Sequence, residues 1–218
     1  MTPAASSATA DVAALFDSRF LRNYARSKLA RDPVYAAVAS RLPELPLLDL
    51  GCGVGLLALS LRQRGFRAPV TGIDHDPRKI EAASKARGAD TLVRVGDVRD
   101  PIDFQGSVAL LDVLHYFSDD DQQRILRNAA SCVAPGGVAI IRDAVRDGSW
   151  RYRATYIEET FARSIGWLRG ERLNFPTRES IVAAFDGFAA EIVPMWGRSP
   201  FNNYLFVFSA PSPGITKR

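Results

Sequence analysis

Apolar residues along this chain change rhythm after its first forty or so positions. In FDSRFLRNYARSKLA, Phe16, Phe20, Leu21 and Tyr24 recur at helical spacing with Arg and Lys between them. Asp32-Pro33 then restarts a helix, with Asp as N-cap and Pro at the first helical position, so the stretch from Asp11 to Leu42 predicts two helices. Beyond it, short continuous apolar runs alternate with helical segments. LPLLDL is a strand ended by glycines, Val54–Arg64 a helix, Val70–Asp74 a strand, Pro77–Arg87 a helix and Thr91–Val95 a strand. Ser107–Val113 is a further strand. Ser118 opens a helix, with Asp121 three residues on as in a capping box, and APGG (Ala134–Gly137) ends it before the strand Val138–Asp143.

The strand cores are apolar throughout rather than alternating, which predicts a parallel sheet covered by helices on both faces. From Ala144 the alternation lapses until a helix over Thr177–Phe185. Two strands, Ala190–Met195 and Asn203–Ser209, then lie close enough in sequence to be antiparallel neighbours at the sheet edge.

Composition changes this picture little. A chain of 218 residues fits one ordinary domain, and it contains no internal repeat or dividing linker. No apolar run approaches the ~18 residues of a membrane span. The opening MTPAASSATA lacks the basic start and apolar centre of a signal peptide and reads as a frayed tail. Cys52 and Cys132 form no CxxC pair, and His75 and His115 are the two imidazoles. That stock argues against a metal site and for a reducing, cytoplasmic setting. The net charge of +4 is mostly arginine interleaved with acids, a solvated surface rather than a nucleic-acid face.

The candidate chemistry centres on LLDLGCGVGLLAL. A dinucleotide fingerprint, GxGxxG, needs its third glycine where this chain has Leu56, and a phosphate-binding Walker loop needs a Gly-Lys-Ser/Thr that is absent. The element is instead DxGxGxG: Asp49, Gly51, Gly53 and Gly55. An acidic group beside the turn repels pyrophosphate and attracts an ammonium, while amides at the helix start still bind a carboxylate. The turn therefore suits a ligand carrying both groups of an amino acid.

This stretch resembles the first motif of class I S-adenosylmethionine-dependent methyltransferases, and further motifs follow in order. VTGIDHDPRKI resembles the second-strand motif, whose terminal acid binds the ribose hydroxyls, a role implied for Asp74. VGDV resembles the turn after the third strand, implying that Asp97 meets the adenine amino group with the Val98 amide nearby. LLDVLHYF and SCVAPGGVAIIRD resemble the fourth-strand segment and the approach to the fifth strand. The resemblance, specific over Leu47–Asp143, implies a Rossmann-like seven-stranded, mostly parallel sheet with an antiparallel last strand, and S-adenosylmethionine as cofactor. Asp49, Gly51, Cys52, Gly53, Gly55, Asp74, His75, Asp97, Val98 and Asp112 are the cofactor candidates. Cys52 is read there as a small packing residue, His75 as a pocket wall, and Asp112 as touching cofactor or acceptor or else as structural.

For the acceptor side, His115 follows the fourth strand and suits general-base work at neutral pH. The competing reading is that it packs on the cofactor or caps the helix at Ser118. Arg142 and Asp143 end the fifth strand nearby. The segment Asp147–Phe175, with Arg146 just before it, mixes Trp150, Tyr152, Tyr156, Phe161 and Trp167 with Arg151, Arg153, Arg163, Arg169 and Arg172. It is read either as an acceptor-covering insert, walling a flat substrate or docking an acyl carrier protein, or as an amphipathic helix with core aromatics. The family's DNA-methylating Asn/Asp-Pro-Pro-aromatic element is missing, since Asp112 is followed by Val-Leu-His. KLARDPVY and PMWGRSPFNNY are similar to small bacterial methyltransferases of aryl-polyene and lipid-type clusters, which implies secondary metabolism. The expected organisation is a helical lid portion over 1–43, a methyltransferase domain over 44–210 with an insert at about 144–176, and a tail over 211–218. The expected reaction is O-methylation of a small or carrier-tethered aromatic or lipid-like acceptor. RNA or protein methylation and a non-catalytic cofactor-binding module are the alternatives.

Overall fold

The computed structural model describes residues 11–86, 88, 90–164, 173–196 and 200–211. The two tails at 1–10 and 212–218, Arg87, Trp167, Arg169, Arg172 and the side chains of Phe161 and Arg163 lie outside the described residues. The chain forms two compact units, Met1–Val98 and Arg99–Arg218.

The first unit runs α1 (Arg19–Arg31), α2 (Val34–Ala39), β1 (Leu47–Leu50), α3 (Leu56–Gln63), β2 (Val70–Asp74), α4 (Pro77–Ala86) and β3 (Thr91–Val95). β2 pairs in parallel with β1, Leu47 opposite Val70, and with β3, Val70 opposite Thr91. Every residue of β1 is buried, Asp49 among its three leucines included. Leu56 to Leu61 of α3 are buried all round, which a helix without a polar face must be.

The second unit runs β4 (Ser107–Leu111), a 3-10 turn (Leu114–Tyr116), α5 (Asp119–Ser131), β5 (Val138–Ala144), α6 (Trp150–Ser164), α7 (Arg178–Val182), a 3-10 turn (Ala183–Phe185), β6 (Ala189–Pro194) and β7 (Asn203–Ser209). β4 and β5 are parallel, and β7 runs antiparallel to both β5 and β6. The seven strands follow the order β3-β2-β1-β4-β5-β7-β6, a Rossmann-like α/β sheet with its last strand reversed. β1 is where the strand order turns back, and ligands in such sheets lie beyond the carboxyl ends of strands at that point.

Some expected details differ. Phe20 and Tyr24 of α1 are exposed, and Ala25 is the helix's buried residue, so the apolar stripe does not face the core of its unit. Phe16, which is buried, precedes the helix. Pro33 takes the N-cap position of α2, while Asp32 Oδ1 accepts from the Val34 amide at 3.1 Å. Ser118 caps α5 through the Asp121 amide, but the Asp121 carboxylate turns to Arg99 and Arg124 instead of completing a box. The full capping box is at Thr177 and Ser180. β4 stops at Leu111 because Asp112 adopts φ +60°, outside the extended region.

Candidate functional site

In the first unit, three glycines shape the turn after β1. Gly51, Gly53 and Gly55 have φ of 75°, 55° and 80°, where an L side chain costs about 1 kcal/mol or more. The amides of Gly51 and Cys52 both donate to Ile73 O, at 2.7 and 3.0 Å, which ties the turn to the end of β2. Asp74, the next residue, accepts from the Gly53 amide through Oδ2 and from the Asp76 amide through Oδ1, each at 2.9 Å. The Gly96 amide donates to Asp74 O at 3.1 Å, bringing the turn that carries Asp97 to the same strand end. Asp97 is half-buried and Val98 buried. A Cβ built on Gly53 would meet nothing within 4 Å, so the turn presents a backbone surface to open space.

Asp49 is 3% exposed, and its carboxyl is pushed up to about 7 by burial and then by the charge of Asp74. Burial also pushes the Cys52 thiol up, with Asp49 and Asp74 adding to the effect, so it does not supply a thiolate. Its Sγ fills the space beside Gly72, where an added Cβ would lie 2.9 Å away. The His75 side chain is 82% exposed, with Nδ1 3.5 Å from Asp74 Oδ1.

In the second unit, successive residues of β5 point to opposite faces. Arg142 is buried and its Nη2 meets Asp112 Oδ2 at 2.6 Å, while the Asp112 amide donates to Arg142 O at 2.8 Å. Asp143 turns the other way. It is 0% exposed, and its Oδ1 lies 2.7 Å from Nδ1 of His115, itself 5% exposed. The same carboxylate accepts from the amides of Leu114 and Ala144, at 2.9 Å each. A carboxylate at this distance fixes the proton on Nδ1 and makes Nε2 the lone-pair nitrogen of the neutral ring.

The His115 ring stacks on Phe175 (centroids 5.4 Å apart, planes 26° apart) and tilts against Tyr116 at 4.1 Å. Tyr152 and Tyr156 of α6 meet Phe175 edge-on at 5.8 and 6.5 Å. Leu173 and Ala144 complete the apolar cluster beneath. Trp150 is exposed, and Arg151 spans the Trp150 and Trp196 rings at 4.7 and 4.6 Å.

The structure thus gathers Asp49, Gly51, Cys52, Gly53, Gly55, Asp74, Asp97 and Val98 around the strand ends of the first unit. In the second unit Asp112 and His115 engage Arg142 and Asp143 respectively. Three further residues join this second cluster: Phe175 stacks on His115, the Asn174 amide donates to His115 O at 2.9 Å, and Gln122 Nε2 donates to Leu114 O at 3.1 Å. No sequence signal marks the two amides, whereas Phe175 stood at the end of the aromatic segment. Among the described residues, no group of three or more His, Cys, Asp or Glu is placed to hold a metal ion. None of the described helices is long and apolar enough to cross a membrane.

A family profile described as "Methyltransferase domain" matches residues 19–194. A carboxy-S-adenosyl-L-methionine synthase of Shewanella halifaxensis is 31% identical over 117 residues, 50% of this chain and 46% of that protein. A magnesium-protoporphyrin O-methyltransferase of Rhodobacter capsulatus is 35% identical over 106 residues, 44% of this chain and 46% of that protein. The chain spans less than half the length of these curated relatives. Among solved structures, magnesium protoporphyrin IX methyltransferase from Synechocystis with bound S-adenosylhomocysteine is similar at TM-score 0.64 and 19% identity, over 89% of each chain.

Proposed function

Because the chain belongs to the class I S-adenosylmethionine-dependent methyltransferases, we propose that it methylates a hydroxyl oxygen of a small or carrier-tethered aromatic acceptor, with His115 as general base. The cofactor of the family is S-adenosylmethionine, and the residues of the first unit fit it. Asp74 offers a carboxylate for a vicinal diol, and Asp49 offers an acidic partner for an amine. We assign Asp97 and the Val98 amide to the adenine, Cys52 to backbone contact, and His75 and Asp112 to the margins of the same ligand.

When bound, S-adenosylmethionine supplies an electrophilic methyl group and a thioether leaving group. The protein's task is to orient the acceptor, exclude water and remove one proton. The single observation that carries the reading is the His115–Asp143 pair. Its Nδ1–H is held by a buried carboxylate that takes no part in the displacement. Nε2 accepts the acceptor's O–H proton as the oxygen attacks, and Asp143 offsets the charge of the resulting imidazolium. A solvated amine acceptor would need no such base in its neutral form. The rings of Tyr116, Tyr152, Tyr156 and Phe175 support a flat acceptor, since stacked and edge-on contacts favour aromatic partners. The name of the Rhodobacter relative, an O-methyltransferase, agrees with an oxygen acceptor.

The segment 144–176 is on this reading the acceptor-side insert, and an acyl carrier protein is the partner proposed for its arginines. Cytoplasmic placement and a role in secondary metabolism belong to the same proposal. The test is a screen with methyl-labelled S-adenosylmethionine against phenols, aliphatic alcohols, amines, bulk RNA and aryl chains on acyl carrier protein. Label in an aryl methyl ether is the expected product. Label confined to amines, RNA or protein would overturn the reading.

A further inference from the structure

Gln122 sits in the first turns of α5, 2% exposed, and belongs to none of the roles above. Its Nε2 donates to Leu114 O at 3.1 Å, Phe117 O at 3.1 Å and Asn174 O at 2.6 Å. An amide nitrogen carries two hydrogens, so these three carbonyls share them. Asn174 works from the other side. Its backbone amide donates to His115 O at 2.9 Å, and its Nδ2 donates to Phe117 O at 3.1 Å and to Asp119 Oδ1 at 2.8 Å. Two side-chain amides therefore cross-link the turn that bears His115 to the segment that bears Phe175.

That turn has little rigidity of its own. It is one 3-10 turn of three residues, closed by Tyr116 N to Val113 O at 3.3 Å and Phe117 N to Leu114 O at 3.0 Å. We propose that Gln122 is the positioning residue for His115: it holds the turn against the Asn174 segment, so that Nδ1 stays on Asp143 and the ring stays on Phe175. The inference rests on His115 being the base only for its catalytic consequence. Its structural content is the orientation of the ring.

A cavity of about 340 Å³ lined by Asp119, Gln122, Gln123, Arg146, Thr177 and Ser180 adjoins this amide. Water entering there can satisfy the carbonyls that Gln122→Ala would bare, so the variant is expected to fold. Gln122→Met, of similar length but without a donor, provides a second variant that leaves no space for water.

The chain has two histidines, so nitrogen-15 spectra of the ring nitrogens are resolved by comparison with His115→Asn. At pH 8, wild-type His115 is expected as a single Nδ1–H tautomer. In Gln122→Ala and Gln122→Met its signals are expected to broaden or split between tautomers, with S-adenosylmethionine affinity unchanged. Turnover on an aryl acceptor is expected to fall on the order of 10²-fold, the usual effect of a displaced catalytic group. An unchanged His115 spectrum in both folded variants, with only the melting temperature lowered, would overturn the proposal. Full turnover by His115→Ala would overturn the base reading alone, because the spectrum reports the ring's orientation independently.

Discussion

Asp143 divides its carboxylate between His115 and the backbone: Oδ1 lies 2.7 Å from the imidazole Nδ1, and Oδ2 takes the Leu114 amide at 2.9 Å. The ring and the turn that carries it are thus held by one buried group. Asp143→Asn would put an amide where the carboxylate stands and favour the opposite tautomer, with the proton on Nε2. Steady-state turnover is expected to fall on the order of 10²-fold, with calorimetric cofactor affinity unchanged.

Asp74 joins the glycine turn to β2 and is the expected partner of the cofactor's diol. Asp74→Ala removes a charge-assisted acceptor for the Gly53 amide as well as the ligand contact. Hydrogen bonds to charged groups are worth ~1.5–3 kcal/mol each, so S-adenosylmethionine should bind at least ~100-fold more weakly by calorimetry. Wild-type affinity in this variant would remove Asp74 from the cofactor site.

Asp49 makes cofactor binding depend on pH. Its folded-state pKa is raised to about 7, so the empty protein keeps a proton there below neutrality. A cationic amine favours the ionised form. Binding should therefore strengthen as pH rises through about 7 and release a proton, seen as a buffer-dependent heat. The ligand-free protein should show the opposite slope. An unfolded aspartate ionises near ~3.9, so stability falls from there until the folded group also ionises near 7. Asp49→Asn should flatten both profiles.

Gly72 lies in the middle of β2 against the Cys52 side chain. A methyl group there would meet Cys52 Sγ at 2.9 Å, its Cβ at 3.0 Å and Val93 Cγ1 at 3.2 Å. Gly72→Ala should destabilise by about 1–3 kcal/mol, read from denaturant midpoints, and loosen the turn at Cys52 enough to weaken cofactor binding.

The sheet was legible in the sequence because its strands are short, mostly apolar runs with turn residues at their ends. Val70–Asp74, Thr91–Val95 and Asn203–Ser209 were placed to the residue. The helices were harder. Phe20 and Tyr24 keep helical spacing yet lie exposed, since spacing alone does not say which side of a helix meets the core. Asp112 ended β4 early through a positive φ that its residue type permits but does not announce.

The site divided in the same way. The glycine turn and Asp74 are local motifs, and the structure joins them through Gly53. The partnership of His115 with Asp143 spans 28 positions, and beyond Tyr116 its aromatic surroundings come from two further segments. Gln122 looks like an ordinary polar residue early in a helix. Only the folded chain reveals that three carbonyls converge on it.

Methyl transfer from S-adenosylmethionine to a phenolic acceptor by wild type and His115→Ala, with cofactor affinity measured on the same samples, tests His115 as the base. Turnover is expected to fall by about 10²- to 10⁴-fold at unchanged affinity, the range for loss of a general base. Turnover equal to wild type, with the cofactor site intact, would remove His115 from the reaction.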